Sequence, residues 1–183
     1  RRGDAGTRSL NFALQAALNP PKPGKQERRF GELIFREGDR VMQTRNDYDV
    51  VWQKEDGTAG TGIFNGDVGK IAKIDPSGEL LEIVFDDRTA TYTSDMLAEL
   101  DMAYAMTVHK AQGSEYRGVV FVGAPCAPSL MVRGVLYTAI TRARELLVIV
   151  GDDSAVNKMA ENDRRSRRYS GLKWRLRKGG EEK

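Results

Sequence analysis

Tyr104-Ala-Met-Thr-Val-His-Lys-Ala-Gln-Gly-Ser-Glu115 and Leu136-Tyr-Thr-Ala-Ile-Thr-Arg-Ala-Arg144 are the two stretches that decide the fold. Each joins a short apolar segment to a compact set of polar and basic residues. Polar groups that follow buried strands collect at one edge of an open parallel sheet, where ligands bind. We therefore expect the two stretches to form two halves of one site for phosphates and nucleic acid.

Short strands and helices alternate around these two stretches. The pattern predicts buried strands at Met102–Val108, Val119–Gly123 and Leu146–Val150, and helices at Met131–Arg144 and Asp153–Asn162. Such alternation is typical of a parallel α/β sheet.

The middle of the chain has a different pattern. Turn signals at Asn65-Gly66, Pro76-Ser-Gly78 and Asp86-Asp87 separate three predicted strands, at Val68–Ile74, Glu79–Phe85 and Thr89–Tyr92. Short strands at roughly ten-residue spacing predict a small β-barrel or curled sheet. A piece of this size is marginal as an independent core, so we expect it to lean on its host domain.

The N-terminal part begins with a predicted helix, because Leu10, Leu14, Ala17 and Leu18 recur at helical spacing. Thr7 or Asp4 could cap it, and the proline-rich segment Asn19–Gly24 ends it. The segments that follow are two extended pieces, Phe30–Phe35 and Gly38–Thr44, and two polar loops, Lys25–Arg29 and Arg45–Asp49.

Composition limits the classes of protein that this chain can belong to. Its 183 residues are 40% hydrophobic and 30% charged, which favours a folded domain over disorder. No apolar run approaches the roughly 20 residues of a membrane span. The single Cys126 cannot form an internal disulfide, and with His109 as the only histidine no zinc cluster is expected. We therefore expect no metal site and a cytoplasmic location.

Positive charge is concentrated at the C-terminal end. The segment Arg164–Lys183 carries a net charge of +7, whereas the whole chain carries +3. Such a cluster could hold phosphates without reading sequence, with Trp174 near a base, or it could be a disordered extension.

The segment Thr107–Glu115 ends a predicted strand in Thr-x-His-Lys and a glycine turn. This places backbone N–H groups and short polar side chains at the carboxyl end of the strand. The alternative is a capped helix start with a lone surface histidine, which is the better interpretation of His109 taken alone.

The second stretch places Thr138 and Arg142 on one predicted helix face, four residues apart. A fixed guanidinium suits the charge that develops on a transferring phosphoryl group. The alternative is a solvated basic helix end, an interpretation that also fits Arg144.

Both strings resemble signatures of superfamily 1 helicases, motif V and motif VI respectively, and most closely those of the RecD-like family. Gly6-Thr7, Leu10-Asn11, Gln15 and Asn19-Pro20 resemble the opening of that family's second motor domain. Gly38–Met42 and Asn65–Gly69 resemble the segments that flank and enter its inserted SH3-like barrel. The resemblance covers about residues 1–151.

This resemblance implies an α/β fold, with a RecA-like parallel sheet of the P-loop NTPase type interrupted by a small SH3-like β-barrel. The implied domains are a second RecA-like motor domain at 1–45 and 98–163, the barrel at 46–97, and a basic tail at 164–183.

The resemblance also implies roles for particular residues. Thr107, His109 and Lys110 would contact single-stranded DNA. Gly113 and Glu115 would lie near the nucleotide sugar, and Arg142 would be an arginine finger directed at the γ-phosphate.

Three residues of the polar loop Arg45–Asp49 are further candidates for DNA contacts. They are Arg45, Asn46 and Tyr48, singled out because an aromatic ring among polar donors can stack on a base. A turn with a half-buried tyrosine is an equally good interpretation. Trp52 could stack in the same way, but core burial is the better interpretation.

The sequence contains neither a Walker A motif nor the Asp-Glu pair that follows an apolar strand in a Walker B motif. The resemblance therefore implies that ATP and Mg²⁺ are held mainly by an N-terminal RecA-like domain of the same parent protein. We expect this chain to be the C-terminal motor part of a 5′–3′ DNA helicase, inactive by itself. The alternatives are a stand-alone single-strand-binding module and a protein-interaction domain.

Overall fold

The computed structural model describes residue 3 and residues 5–164. The chain divides into two compact units, Arg1–Ser114 and Glu115–Lys183. Apart from Arg164, the predicted basic tail lies outside the described residues.

The first unit is built on a seven-stranded antiparallel sheet with strand order β5-β4-β8-β7-β6-β3-β9. A short 3-10 helix, Met96–Glu99, precedes the last strand. The strands are β3 (Arg40–Gln43), β4 (Asp47–Gln53), β5 (Ala59–Ile63), β6 (Val68–Ile74), β7 (Leu80–Phe85), β8 (Arg88–Thr93) and β9 (Leu100–Met102).

Alternating burial gives this sheet a single apolar core. In β8, Ala90 and Tyr92 point inwards while Thr91 and Thr93 are exposed. The core is formed by buried side chains of nearly every strand, among them Val41, Val50, Ile63, Ile71, Leu81, Ile83, Phe85, Tyr92 and Met102. The three strands predicted from turn residues are confirmed, and Asp86 adopts a φ of 53° in the tight turn between β7 and β8.

The N-terminal helix α1 spans Thr7–Leu18, as predicted, and ends at the proline-rich segment. Its N-cap is Gly6, which makes no side-chain cap, so the expected cap by Thr7 is wrong. A hairpin follows, formed by β1 (Glu27–Phe30) and β2 (Leu33–Arg36). The predicted loop at Lys25–Arg29 is therefore partly wrong, because the charged residues Glu27, Arg28 and Arg29 belong to an edge strand.

Two further predictions in this unit are wrong. Arg45–Asp49 is not all loop, since β4 begins at Asp47 and places Tyr48 on a strand. The predicted buried strand Met102–Val108 is limited to the end of β9, which pairs antiparallel with β3. The chain beyond Met102 turns instead, because the side chain of Asn11 binds the carbonyl oxygens of Met102 and Ala105.

The second unit is a β-α-β-α arrangement, with β10 (Tyr116–Gly123), α2 (Arg133–Ile140), β11 (Ala143–Gly151) and α3 (Asp153–Glu161). The two strands are parallel, with Val120 opposite Val148. Helices α2 and α3 pack against each other and against the sheet. Asp152 caps α3 by accepting a hydrogen bond of 2.8 Å from the Ser154 N–H.

The strands and the last helix of this unit agree with the sequence prediction, but the long helix Met131–Arg144 does not. It ends at Ile140, because β11 must begin at Ala143 to pair with Tyr116. The Tyr116 N–H donates to the carbonyl oxygen of Arg142 at 2.8 Å and fixes that register.

One face of the β10–β11 pair is apolar and exposed. Parallel strands are normally covered on both faces, and two strands alone make a marginal sheet. The side chains on this face are 39–66% exposed: Val120, Val122, Leu146, Val148 and Val150. Among the described residues, no helix is long and apolar enough to cross a membrane.

Candidate nucleic-acid interface

The segment after β9 forms one compact turn in the first unit. The N–H groups of Lys110 and Ala111 donate to the carbonyl oxygen of Thr107 at 3.0 and 3.1 Å. The Thr107 hydroxyl lies 3.3 Å from the Lys110 nitrogen and caps the turn. Gly113 closes it with a φ of 92°, a conformation that other residues rarely adopt. Thr107 and Gly113 therefore shape the turn that carries His109 and Lys110.

His109 and Lys110 line a cleft of about 980 Å³ in the first unit, which we call the α1 cleft. Helix α1, the tip of the β1–β2 hairpin and the turn between β5 and β6 form its other walls. The residues that line the cleft include Thr7, Arg8, Asn11, Phe30, Gly31, Glu32, Leu33, Asn65, Gly66, Asp67, Asp101, His109, Lys110 and Gln112. The cleft thus brings the predicted motif V residues against the barrel turn.

The α1 cleft is not a strongly basic surface. Arg8 forms an ion pair with Glu32 across the cleft mouth. Asp67 pairs with Arg88 at 3.3 Å. Lys110 and Asp101, which are opposite in charge, also line the cleft, so the charges of the lining nearly cancel. Nucleic-acid binding here would depend on hydrogen bonds and base contacts more than on neutralised phosphates.

A buried carboxylate holds the cleft walls together. Asp39 is fully buried, and its two oxygens accept four hydrogen bonds. Gln15 and Asn19 of α1 each donate at 2.6 Å, and the Arg36 N–H and the Tyr104 hydroxyl each donate at 2.8 Å. A carboxylate supplied with this many donors can remain buried. Helix α1 is therefore fixed to the sheet by its polar face.

Of the DNA contacts predicted in the Arg45–Asp49 segment, Asn46 lies behind the cleft wall and Tyr48 outside it. The side-chain oxygen of Asn46 accepts from the Asn65 N–H at 3.0 Å and so supports the turn that lines the cleft. Tyr48 is 66% exposed and meets Phe64 edge to face, with ring centroids 5.6 Å apart. Neither residue lines the α1 cleft.

Arg142 lies in the second unit, in the two-residue connection between α2 and β11. Its Nε donates to the carbonyl oxygen of Thr138 at 3.1 Å, and Nη2 lies 3.2 Å from the Thr141 hydroxyl. The four-residue relation to Thr138 predicted from the sequence is present, although Arg142 is beyond the helix rather than within it. The guanidinium is partly buried and held in a defined direction.

Glu115 also lies in the second unit, where Arg144 donates to it from Nε at 2.6 Å. The helix-end interpretation of Arg144 is wrong, because the residue is on strand β11. Arg117 and Glu145 form a second, two-bonded pair at 3.0 and 3.1 Å. Both pairs are exposed, so their effect on stability is small.

Sequence reasoning missed Phe30, Arg8 and Asn65 as lining residues. Phe30 follows a charged segment that looks like loop, and only its place at a hairpin tip brings it into the cleft. The sequence correctly predicts a turn at Asn65, but a turn signal does not indicate which other residues the turn contacts.

Comparison with known families agrees with the division of the fold into two parts. Residues 10–85 match the model described as the ATP-dependent RecD-like DNA helicase SH3 domain. Residues 102–150 match the UvrD-like helicase C-terminal domain. The first match contains most of α1, the hairpin and most of the seven-stranded sheet, and the second contains the Thr107 turn, β10, α2 and nearly all of β11. Both models describe domains of helicases.

Two proteins that are similar in sequence to this chain show which family of helicases it belongs to. The chain is 36% identical over 167 residues to the ATP-dependent RecD2 DNA helicase of Deinococcus radiodurans, covering 91% of this chain and 21% of that protein. It is 31% identical over 183 residues to the RecBCD enzyme subunit RecD of Mycolicibacterium smegmatis, covering 98% and 28%. The chain belongs to the RecD-like helicase family and spans between a fifth and a third of the length of these relatives.

A solved structure has the same general fold. The crystal structure of Bacteroides Pif1 bound to ssDNA matches with a TM-score of 0.53 and 17% identity, covering 98% of this chain and 44% of that one. The similarity in sequence is low, so this match concerns the helicase-like fold alone.

Proposed function

We propose that this chain is the C-terminal motor part of an ATP-dependent 5′–3′ DNA helicase. The observation that carries the proposal is the α1 cleft, in which His109 and Lys110 of the motif V turn face the Asn65–Gly66 turn and helix α1. The similarity to RecD2 and RecD and the resemblance of Pif1, whose structure contains ssDNA, support single-stranded DNA as the partner.

The second unit is the remaining part of a RecA-like domain. Its β10–α2–β11 order is the parallel strand–helix–strand unit on which such sheets are built. The exposed apolar face of Val120, Val148 and their neighbours would be covered by further elements of the same parent protein. The boundaries 1–45, 46–97 and 98–163 between motor domain and barrel stay a prediction.

Single-stranded DNA would occupy the α1 cleft. His109 and Lys110 offer donors to bases or phosphates, and Thr107 acts by capping the turn that presents them. Asn46 acts through the Asn65 turn, and Tyr48 with Phe64 would extend the track beyond the cleft.

The second unit would supply residues that contact ATP. ATP contributes the phosphoryl group to be hydrolysed, and Arg142 suits its γ-phosphate because its guanidinium is held in direction by Thr138 and Thr141. Glu115, oriented by Arg144, would accept a hydrogen bond from the ribose. Gly113 would shape the turn that precedes Glu115. Mg²⁺ and the phosphate cradle would belong to the N-terminal RecA-like domain of the parent.

Fluorescence anisotropy with a labelled single strand, and with the same strand in a duplex, tests the proposal. The chain should prefer the single strand, and H109A/K110A should weaken binding several-fold. K73A, which removes an exposed lysine outside the cleft, is the matched control. Equal loss in both variants would contradict a site in the cleft. ATP turnover by the purified chain that persists in R142A would overturn the nucleotide assignment.

A further inference from the structure

The tip of the β1–β2 hairpin presents an aromatic ring to the α1 cleft. Phe30 ends β1, Leu33 begins β2 opposite it, and Gly31-Glu32 forms the turn between them. All four residues line the cleft, and Phe30 is 36% exposed. A large apolar ring at the mouth of a polar cleft is a surface that a flat, apolar ligand can cover.

The hairpin is held in place at both ends. At its base, Arg28 donates to the Ser94 hydroxyl at 3.1 Å, and Arg36 binds Glu27 at 2.5 Å as well as the carbonyl oxygen of Asn19. At its tip, Glu32 pairs with Arg8 of helix α1, but this pair is exposed and contributes less than the contacts at the base. The ring of Phe30 is therefore presented by an anchored element, which reduces the entropy lost when a ligand binds.

The turn leaves free space beside the ring. Gly31 adopts a φ of 58°, and nothing lies within 4 Å of the position that a Cβ would take there. The surface next to Phe30 is thus open to an approaching base.

The charges of the cleft favour base contacts over phosphate contacts. Arg8 pairs with Glu32 and Asp67 with Arg88, and the other two charged side chains of the lining, Lys110 and Asp101, are opposite in sign. A site with so little net positive charge gains little from the release of counterions by phosphates. Aromatic side chains that stack on bases are the other main source of affinity for single strands.

We propose that Phe30 is a base-stacking residue and that the hairpin tip forms the outer wall of the single-strand site. The inference rests on the proposed function, since it assigns a further residue to the same cleft. Under this inference the chain contacts the bases of a single strand as well as its sugar-phosphate backbone.

Two probes test this inference with the whole chain: labelled oligo(dT), and an abasic strand of the same length that keeps every phosphate but has no bases. Wild type should bind oligo(dT) more tightly than the abasic strand. F30L should weaken oligo(dT) binding by roughly 5- to 150-fold and leave abasic binding nearly unchanged, because one stacked base is lost. F30Y keeps a ring and should bind like wild type.

Phe12 provides the matched control. It is a partly exposed ring on α1, under the guanidinium of Arg8, and it does not line the cleft. F12L should bind oligo(dT) like wild type, and thermal unfolding should establish that F30L is folded. If folded F30L binds both strands as wild type does, the stacking role of Phe30 is contradicted, but the proposed function is not. If wild type binds no single strand at all, the stacking role and the proposed function are both contradicted.

Discussion

Asn11 and Ala105 exchange two hydrogen bonds across the first unit. The side-chain amide of Asn11 donates to the carbonyl oxygen of Ala105 at 2.9 Å, and the Ala105 N–H donates to Oδ1 of Asn11 at 2.8 Å. The same amide also reaches the carbonyl oxygen of Met102 at 3.1 Å. One buried side chain thus takes the place of a neighbouring strand and fixes the backbone that leads to Thr107.

Removing this side chain should destabilise the protein markedly. N11A leaves one buried and two part-buried backbone groups without their partner, and we expect a loss of about 2 kcal/mol in the free energy of unfolding. Urea denaturation followed by circular dichroism measures it. S9A removes an exposed hydroxyl of the same helix, which donates to Gly3, and should cost about 0.5 kcal/mol or less. Similar midpoints for N11A and wild type would contradict the bracing role.

Asn11 also explains why one sequence prediction failed. The apolar segment Met102–Val108 has the composition of a buried strand, and composition alone cannot tell which partner satisfies its backbone. The partner is a polar side chain 94 residues earlier in the chain. In contrast, β6, β7 and β8 could be predicted because Asn65-Gly66, Gly78 and Asp86 are turn signals that can be read from the local sequence.

The candidate site was predictable to a similar extent. Thr107, His109, Lys110 and Arg142 could be chosen because they stand in short strings that resemble helicase motifs. Phe30 could not, because Glu27-Arg-Arg-Phe30 has no apolar alternation and its hairpin follows from pairing with β2. Its place in the cleft depends on tertiary structure, which no local pattern encodes.

The Tyr104 phenol should make stability fall at alkaline pH. Burial, and then the hydrogen bond that it donates to Asp39, raise the pKa of Tyr104 to about 12. A group with a raised pKa stabilises the folded state fully below its unfolded pKa of about 10, and this contribution is lost as pH rises towards 12. Y104F should therefore be less stable at neutral pH, but should lose less stability between about pH 10 and pH 12.

Urea denaturation at a series of pH values gives this comparison, with phenolate absorbance as an independent measure of ionisation. Tyr92, whose pKa is also raised chiefly by burial, is present in both proteins. Its ionisation accounts for the stability that Y104F still loses at alkaline pH. Parallel stability profiles for Y104F and wild type would contradict the assigned hydrogen bond.

The close approach of Gly123 and Gly151 makes the second unit sensitive to one methyl group. A Cβ on Gly151 would lie 2.3 Å from the carbonyl oxygen of Gly123, and Gly151 has a φ of 135°. G151A should therefore cost roughly 2 kcal/mol or more, through strain and a shift of β11.

Gly134 provides the opposite control. It lies in helix α2, and a Cβ there would meet nothing within 4 Å. G134A should stabilise the protein by about 0.5–1 kcal/mol, because alanine is the better helix former. Thermal unfolding of the two variants measures both effects, and a stable G151A would contradict the parallel register at the end of β11.

Arg142 gives the most direct test of the central claim that this chain supplies part of a helicase motor. The variant R142K should be introduced into a full-length protein that contains this chain, and DNA-stimulated ATP hydrolysis should be measured over a range of ATP and single-strand concentrations. We predict that kcat falls by about 10³-fold or more while the affinity for single-stranded DNA changes little, because the guanidinium acts on the transferring phosphoryl group. R117K, which changes an exposed arginine of the same unit that pairs with Glu145, should retain most of the activity. An R142K enzyme with wild-type kcat would contradict the account.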